Sequence, residues 1–414
     1  MRLLIVTQYF WPENFRINDL VTGLVERGHE IVVLTGYPNY PDGAVFPAFR
    51  ADPAAFAKFG TVRVERVPLF ARGQGGWRLA VNYASFALTA ATLGVWRLRG
   101  QRFDAIFAYE PSPITIGIPA ALLRHLKRAP LAFWVLDLWP ETLQAIGAVR
   151  SPALLGAVGR LVGFIYRRCD LILAQSRSFV PQIARYLESA DRIAYFPAWA
   201  EAALESAAAE PSAAVPSAPG SFSVMFAGNI GDAQDFPAIL AAAELLRDRR
   251  EIRWLIVGDG RAAAWVAAEV ERRKLGDRFL LLGRHPLEQM PQFYRHADAL
   301  LVSLRDEPVF ALTLPGKLQS YLAAGIPVLA MVNGEAADVV RRSGGGLTCA
   351  AGDAAGLAAA VLKLATASPA ERAEMGRRGK AFSVDEFDRA TLIARLEGWL
   401  RKLTARRDGA AALP

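Results

Sequence analysis

Residues 223–260 read SVMFAGNIGDAQDFPAILAAAELLRDRREIRWLIVGDG, and the fold prediction rests on this pattern. A short apolar run, Ser223–Ala227, is followed by a glycine-rich turn at Gly228–Gly231 that opens a helical segment reaching Leu246. A second apolar run, Trp254–Val257, ends at another glycine turn. Continuous apolar strands that alternate with helices are typical of a parallel sheet covered on both faces. The stretch therefore predicts a doubly wound α/β unit.

The same alternation runs along the rest of the chain, which at 414 residues is too long for one ordinary core. The pattern predicts two Rossmann-like domains, at residues 1–199 and 222–384. Residues 200–221, rich in Ala, Ser and Pro, indicate a linker, and residues 385–405 one long terminal helix. Further strands are predicted at Leu3–Thr7, Glu30–Thr35, Ala105–Tyr109, Leu131–Leu136, Leu171–Ala174, Phe279–Leu282, Ala299–Val302 and Val328–Ala330.

The cysteines and the charge limit the classes of function. Cys169 and Cys349 lie far apart without metal-binding spacing, which argues against a disulfide scaffold or a zinc site and fits a reducing cytoplasm. The net charge of +8 leaves nucleic acid, an anionic membrane surface or phosphorylated substrates as partners. No nucleic-acid-binding motif is present, so we expect no nucleic acid.

The basic residues are concentrated in the first half, among aromatic side chains that suit a membrane interface. These are Arg72, Arg78, Arg97, Arg99, Arg102, Arg124, Lys127 and Arg128, with Trp77, Tyr83, Phe86 and Trp96. The uncharged run Leu79–Trp96 is long enough for a thin membrane span, but Asn82, Ser85, Thr89 and Thr92 dilute it. We expect a buried or interfacial helix.

Ligands of open α/β sheets bind beyond the carboxyl ends of the strands, so the residues there are the candidates. In the second half, residues 310–328 read FALTLPGKLQSYLAAGIPV. Pro315 and Gly316 open a helix whose free amides and dipole favour an anion, Lys317 adds a full positive charge, and Ser320 lies one turn on. This pattern predicts a phosphate site, with a plain capped helix as the alternative. Glycines such as Gly228 and Gly258 let the backbone approach a ligand or merely form tight turns.

In the first half, Arg16 follows the first strand and Asp137 follows the strand at Leu131–Leu136. A guanidinium fork suits a phosphate, although a surface or interdomain salt bridge is the alternative. Asp137 is placed as a site residue or as a helix cap. No Ser-His-Asp spacing or metal-ligand cluster is evident, so we expect no metal requirement.

Several segments together resemble a known family. They are QYFWPE (8–13), RGHEIVVLT (27–35), YPNYP (37–41), DLWPE (137–141), FAGNIG (226–231), VGDG (257–260) and AGIPV (324–328). In order and spacing the chain resembles family-four glycosyltransferases of the GT-B fold. It is most similar to the subgroup of bacterial O-antigen, capsule and colanic-acid-type polysaccharide biosynthesis.

The resemblance implies two Rossmann-like domains facing across a cleft, with the terminal helix crossing back to the first. It implies retaining transfer of a sugar, such as an N-acetylated or deoxy hexose, from a donor that is typically UDP-linked. The acceptor would be a glycan or a polyprenyl-diphosphate sugar, reached by an enzyme that is peripheral on the cytoplasmic leaflet of the plasma membrane.

The resemblance and the placement of residues together give the candidate site. The catalytic candidates are Asp137 and Arg16. The donor-binding candidates are Asn229, Gly231, Gly258, Arg284, Leu312, Thr313, Lys317 and Ser320. The acceptor-side candidates are Glu13, Asn14, Asn18 and Glu141.

The chain departs from the family where charge is expected. The two usual glutamates correspond to Leu312 and Ser320, and the usual Arg and Lys of the phosphate site to Asn229 and a position near Asp235. The familiar Gly-Gly loop is replaced by Asn14-Phe15-Arg16. Lys317 and Arg16 would restore the positive charge. A sugar-nucleotide epimerase of the same fold, an inactive assembly scaffold and a nucleic-acid-binding protein stay open as alternatives.

Overall fold

The computed structural model describes residues 1–41, 43–73, 76–145, 147–200 and 210–407. The chain divides into two compact units. The first comprises Met1–Phe196 together with the chain from Ala390 onward, and the second comprises Pro197–Arg389.

The first unit is built on a sheet that has eight strands among the described residues, in the order β3-β4-β2-β1-β5-β6-β7-β8. Only the short β3 is antiparallel to its neighbour. The strands are β1 Arg2–Val6, β2 Glu30–Gly36, β3 Lys58–Phe59, β4 Val62–Val67, β5 Ala105–Glu110, β6 Leu131–Val135, β7 Leu171–Ala174 and β8 Ile193–Tyr195. Strands β1 and β5 are neighbours although they are distant in sequence, so a topological switch point lies between them.

Helices cover this sheet, as the continuous apolar strands require. They are α1 Arg16–Glu26, α2 Pro47–Ala51, α3 Gly76–Thr89, α4 Val95–Arg97, α5 Gly117–Lys127, α6 Glu141–Ala145, α7 Pro152–Tyr166 and α8 Phe179–Ala184. A π-helical segment, Ala90–Gly94, joins α3 to α4, so residues 76–97 form one continuous helix. Gly94 allows it to lie against Leu34, whose Cδ2 would be 2.9 Å from an added Cβ.

The second unit has, within the described residues, a fully parallel six-stranded sheet in the order β11-β10-β9-β12-β13-β14. Its strands are β9 Phe222–Ala227, β10 Ile252–Val257, β11 Phe279–Gly283, β12 Ala299–Ser303, β13 Val328–Met331 and β14 Gly346–Cys349. This is the strand order of dinucleotide-binding domains, with its switch point between β9 and β12. Its helices are α9 Phe236–Leu245, α10 Ala263–Arg272, α11 Met290–Tyr294, α12 Pro308–Leu312, α13 Gly316–Ala324, α14 Gly334–Ser343, α15 Ala354–Thr366 and α16 Pro369–Phe387.

The last helix, α17 (Arg389–Arg407), packs on the first unit. Glu397 on α17 accepts a hydrogen bond from Arg27 Nε at 2.6 Å, and the ring of Trp399 lies 6.0 Å from that of Phe196. Leu392, Leu396 and other apolar side chains of α17 are buried.

Two local predictions are wrong. Gly228–Gly231 does not open an α-helix directly, because a 3-10 turn and the left-handed residue Asp235 come first, and α9 begins only at Phe236. The single terminal helix over 385–405 is in fact the end of α16 and then α17, because Asp388 leaves the helical conformation between them.

The predicted linker packs on the second unit where it is described. Val215 lies in the core of that unit, and the carbonyl of Pro216 accepts a hydrogen bond from Arg253 at 2.6 Å. Residues 201–209 of this predicted linker lie outside the described residues.

Candidate active site

Three strands of the second unit, β9, β10 and β11, end at a glycine or directly before one, so no side chain stands at their carboxyl ends. Gly228 and Gly258 have φ values of 140° and 148°, which L side chains rarely adopt. A Cβ on Gly258 would lie 1.8 Å from the carbonyl oxygen of Gly228. The Gly258 amide donates to the carbonyl of Gly283 at 2.7 Å, which ties the end of β10 to that of β11. Glycine is therefore required at Gly258 by close packing against Gly228, and the backbone of Gly228 is exposed at this edge.

The turn after β9 is closed by its own side chains. Gln234 Oε1 accepts hydrogen bonds from the Gly231 amide at 3.1 Å and from Asn229 Nδ2 at 3.4 Å. Asn229 is exposed, and Gly231 gives its backbone to this turn. Asn229 is thus available at the same edge as Gly228 and Gly258.

The register of α13 is set by Tyr321, whose hydroxyl bonds to both the amide and the carbonyl of Ala227 at 2.9 and 3.0 Å. Lys317 lies one helical turn earlier, in the first turn of α13. Its Nζ lies 3.7 Å from the ring centroid of Phe226 and would be 3.1 Å from a Cβ on Gly228. The helix that begins at Gly316 therefore places Lys317 beside Gly228, at the carboxyl ends of the strands.

The Nζ atom of Lys317 is enclosed and has no hydrogen-bond partner among the described residues. Burial lowers the pKa of this amine to about 7. The sequence predicts a positive charge at this helix start, with a solvated lysine as the alternative. In the structure the ammonium is desolvated, and no carboxylate among the described residues pairs with it. A buried ammonium without a partner is unfavourable, and an anion bound at this edge would relieve it.

The other donor-side candidates lie on β11, α12 and α13 of the second unit or directly after them. Arg284 is exposed and follows Gly283 directly, so it stands at the end of β11. Leu312 ends α12, and the Thr313 hydroxyl donates to the carbonyl of Val309 at 2.8 Å. Ser320 is buried within α13. Leu312 and Ser320 stand at the positions where the family usually has two glutamates, so neither position carries a carboxylate.

A buried carboxylate that the sequence did not single out lies at the same edge of the second sheet. Glu335 is 5% exposed and belongs to the first turn of α14, which follows β13. A helix start favours a carboxylate. The sequence pattern that could have identified Glu335 is an acidic residue that follows an apolar strand and a glycine.

In the first unit, Asp137 follows β6 and is held by its own loop. Its Oδ1 accepts the Thr142 hydroxyl and its Oδ2 accepts Trp139 Nε1 at 3.2 Å. Burial raises the pKa of Asp137, and these hydrogen bonds oppose that rise. The side chain is fixed by two donors that favour its charged form.

Glu110, the last residue of β5, was missed by sequence reasoning and lies beside Asp137. Its Cα pairs with Val135, two residues before Asp137, and the side chain is completely buried. Neither carboxylate oxygen has a hydrogen-bond partner among the described residues. Burial, and then the charge of Asp137, raises the pKa of Glu110 well above its ordinary value. The two carboxyl groups therefore differ in environment: hydrogen bonds oppose the rise in pKa at Asp137, whereas the charge of Asp137 adds to the rise at Glu110.

The remaining candidates of the first unit lie near the start of α1. Arg16 is the first residue of that helix, and Asn14 is exposed just before it. Asn18 accepts the Trp11 amide at 3.0 Å and donates to the Glu13 carbonyl at 2.7 Å. Asn18 thus fixes the loop that leads into the helix.

Glu13 is buried and serves the same loop. Its carboxylate accepts the amides of Asn39 and Tyr40, both at 2.8 Å, and that of Phe10 at 3.2 Å. Burial raises the pKa of Glu13 to about 7 in spite of these bonds. Glu141, at the start of α6, pairs with Arg185 Nη2 at 2.5 Å. The acceptor roles of these residues stay predictions.

The continuous helix over residues 76–97 presents apolar side chains to solvent. Trp77, Leu88 and Trp96 are 69%, 65% and 59% exposed. The guanidinium of Arg99 lies 4.0 Å from the ring centroid of Trp96. Residues Trp77–Arg97 form a helix long and apolar enough to cross a membrane, with a mean hydropathy of 1.3 and 33% of the window buried, the only one found in the described chain.

Two Rossmann-like units built on parallel sheets are the architecture of GT-B glycosyltransferases. Residues 14–199 match the glycosyl transferase 4-like domain, and residues 221–367 match the glycosyl transferases group 1. The chain belongs to this family of glycosyltransferases and is a transferase enzyme.

The chain is similar to proteins of known name at low identity. It is 28% identical over 269 residues to the probable glycosyltransferase WbjE of Pseudomonas aeruginosa, covering 63% of this chain and 66% of WbjE. It is 25% identical to the putative colanic acid biosynthesis glycosyl transferase WcaI of Escherichia coli K12, covering 78% of this chain and 82% of WcaI. The fold is similar to Anabaena Alr3699/HepE in complex with UDP and glucose, with a TM-score of 0.68, 16% identity and coverage of 97% and 100%.

Proposed function

We propose that the protein transfers a sugar from a UDP-linked donor, held by the second unit, to a glycan or polyprenyl-diphosphate-linked acceptor, held by the first. The observation that carries this proposal is Lys317, an enclosed amine beside Gly228 whose Nζ has no hydrogen-bond partner in the part of the chain that the structure describes. The amine needs a counterion, and anionic diphosphate oxygens would provide one. The UDP complex of the similar Anabaena structure supports uracil as the base of the donor.

The leaving diphosphate is stabilised by preorganised groups. The first amides of α13 have no partner within the helix, and Lys317 stands in the same turn. Positive groups aimed at the charge that develops in the transition state are the largest usual contribution to such catalysis. Arg284 and Arg16 are further candidates for phosphate contact.

The transfer retains the anomeric configuration in this proposal, and a leaving phosphate oxygen accepts the proton of the acceptor hydroxyl. Asp137 orients the acceptor through a carboxylate that Thr142 and Trp139 hold in place. No metal enters this scheme, since amides and basic side chains take its place.

We also propose that the enzyme works at the cytoplasmic leaflet in surface polysaccharide biosynthesis. The exposed Trp77, Leu88 and Trp96, with neighbouring arginines, suit the interface of an anionic bilayer. The similarity to a putative colanic acid biosynthesis enzyme supports this setting.

The test is a panel of UDP-, GDP- and TDP-sugars with thermal shift as readout, followed by turnover with and without acceptor. We expect stabilisation by UDP-sugars that Lys317→Met removes. Conversion of the donor without any acceptor would instead identify an epimerase. Donor binding without turnover on any lipid-linked acceptor would favour an inactive scaffold.

A further inference from the structure

A second charged site lies at the opposite edge of the first unit's sheet. A cavity of about 600 Å³ opens where β6, β7 and β8 begin, and it is lined by Arg124, His125, Arg128, Ala129, Pro130, Asp170, Arg192, Leu403 and Arg406. Asp137 follows the other end of β6. Six residues of strand and loop lie between Pro130 and Asp137, which corresponds to roughly 20 Å at the usual rise per residue. The cavity is therefore separate from the candidate active site.

The cavity has a surplus of positive charge, because four guanidinium groups line it with a single carboxylate. That carboxylate is already committed. Asp170 accepts Arg124 Nε and Nη2 at 2.8 and 2.7 Å, and it also accepts the Leu131 amide at 2.8 Å. Among the described residues, no acidic side chain forms a salt bridge with Arg128, Arg192 or Arg406.

The arginines come from separate elements, which the preference of helix ends for cations does not explain. A helix carboxyl end accounts for Arg124 and Arg128 at the end of α5. The carboxyl end of α17 likewise accounts for Arg406, but no α-helix end accounts for Arg192, which precedes β8, or for the convergence of these elements on one cavity. Three parts of the chain thus bring like charges to one cavity.

The backbone of Arg128 adds a second sign of a built site. It has φ 51° and ψ 36°, the left-handed conformation in which a helix usually ends on glycine or asparagine. A side chain there is unfavourable by roughly 1 kcal/mol. The chain holds an arginine in this position although a residue without that strain would end the helix as well.

We propose that this cavity binds a phosphate-bearing anion with two or more negative charges. Arginine forks bind phosphate oxygens in pairs, and all four cations here are arginines. The anion is either a free diphosphate or phosphomonoester, or the headgroup of an anionic lipid. Both share the same chemistry, and the experiment separates them.

The test variant carries Arg128→Asn, Arg192→Gln and Arg406→Gln. Asparagine tolerates the left-handed conformation, and the Arg124–Asp170 pair that braces β6 and β7 is left intact. The matched control removes three exposed arginines of the second unit through Arg250→Gln, Arg341→Gln and Arg377→Gln. Both sets of substitutions are made in the whole chain carrying Lys317→Met, so that pyrophosphate binding beside residue 317 does not mask binding in the cavity. Thermal melts confirm that each variant folds.

The first arm titrates inorganic pyrophosphate by calorimetry. We expect the cavity variant to bind roughly 30-fold or more weakly than its parent, because charge-assisted hydrogen bonds from three arginines are lost. The control should stay within about twofold of the parent, since its arginines contact no shared site. The second arm measures sedimentation with phosphatidylglycerol vesicles.

The two arms together identify the source of the anion. Loss of both pyrophosphate and vesicle binding in the cavity variant alone supports a lipid headgroup. Loss of pyrophosphate binding with unchanged vesicle binding supports a free phosphate compound. Loss of vesicle binding alone also supports the headgroup. Equal behaviour of the cavity and control variants in both arms, with both folded, overturns the proposal.

Discussion

Replacing Lys317 by methionine should make the unliganded enzyme more stable while removing its response to donor. The pKa of Lys317 is lowered from 10.5 to about 7 by burial. At 1.36 kcal/mol per pKa unit, the folded state disfavours the charged amine by about 5 kcal/mol, an upper limit for the effect. Methionine keeps the apolar stem against Phe226 and removes the amine that the fold must desolvate.

The pH dependence has a definite sign. Between pH 7 and 10.5 the unfolded chain holds a proton on this lysine that the folded protein has lost, so wild-type stability rises with pH across this window. The penalty is complete below pH 7. Lys317→Met should therefore exceed wild type most at pH 6 and converge with it near pH 10.5. For a domain of this size each kcal/mol corresponds to about 3 °C in Tm.

Donor binding supplies the opposite signature. A diphosphate beside Lys317 raises the pKa of the amine again, so UDP binding by wild type takes up a proton above pH 7 and weakens as the pH rises. Calorimetry at pH 8 in two buffers of different ionisation enthalpy measures that uptake. A hundredfold excess of UDP over its Kd should stabilise wild type by about 2.7 kcal/mol, whereas Lys317→Met should lose most of this gain.

The control for this experiment is Lys363→Met, which removes an exposed lysine of α15. It should change neither the stability of the unliganded protein nor the response to UDP. The reasoning is refuted if Lys317→Met melts like wild type at pH 6 and keeps both the UDP-induced shift and the proton uptake. Loss of UDP binding without any gain in stability would refute the burial argument alone.

Three further substitutions test other parts of the site. Asp137→Asn should lower turnover at least about 100-fold while UDP binding is kept, because only the acceptor side loses its charge; near-normal turnover by radiolabelled transfer assay would remove Asp137 from the catalytic residues. Glu110→Gln should flatten the pH dependence of stability in urea denaturation, because wild type is destabilised as the pH rises from 4.5 towards the raised pKa of Glu110; an unchanged slope would show that Glu110 titrates normally. Gly258→Ala should destabilise the protein by at least ~2 kcal/mol because its φ is 148° and its Cβ would meet the Gly228 carbonyl, whereas Gly276→Ala, with nothing within 4 Å, should be neutral; equal melting of the two would contradict the strained edge.

The sequence was sufficient for features that depend on local pattern. All ten predicted strands are present within one or two residues, since buried parallel strands are continuous apolar runs. The helix start at Gly316 was visible from Pro315 and Gly316. The strands β3, β4, β8 and β14 were missed because they are short, partly exposed or polar, such as Val62–Val67 with two arginines and a glutamate.

Charge states could not be predicted because they depend on what surrounds a residue in space. Lys317 reads as a full positive charge in sequence, but the packing of Tyr321 against Ala227 brings the amine over Phe226 and removes it from water. Glu110 reads as the polar end of a strand. Its burial follows from pairing between β5 and β6, which places it beside Asp137.

The surroundings of the basic side chains also distinguish the proposed donor site at Lys317 from the arginine cavity. Both are lined by basic side chains, yet the amine of Lys317 is enclosed whereas Arg128, Arg192 and Arg406 are exposed. Anion binding to a desolvated amine depends strongly on pH and on the position of the anion. Exposed arginines are screened by salt and tolerate varied positions of the phosphate. If both proposals hold, binding at the donor site will depend on pH far more than on ionic strength, and binding in the cavity will show the reverse.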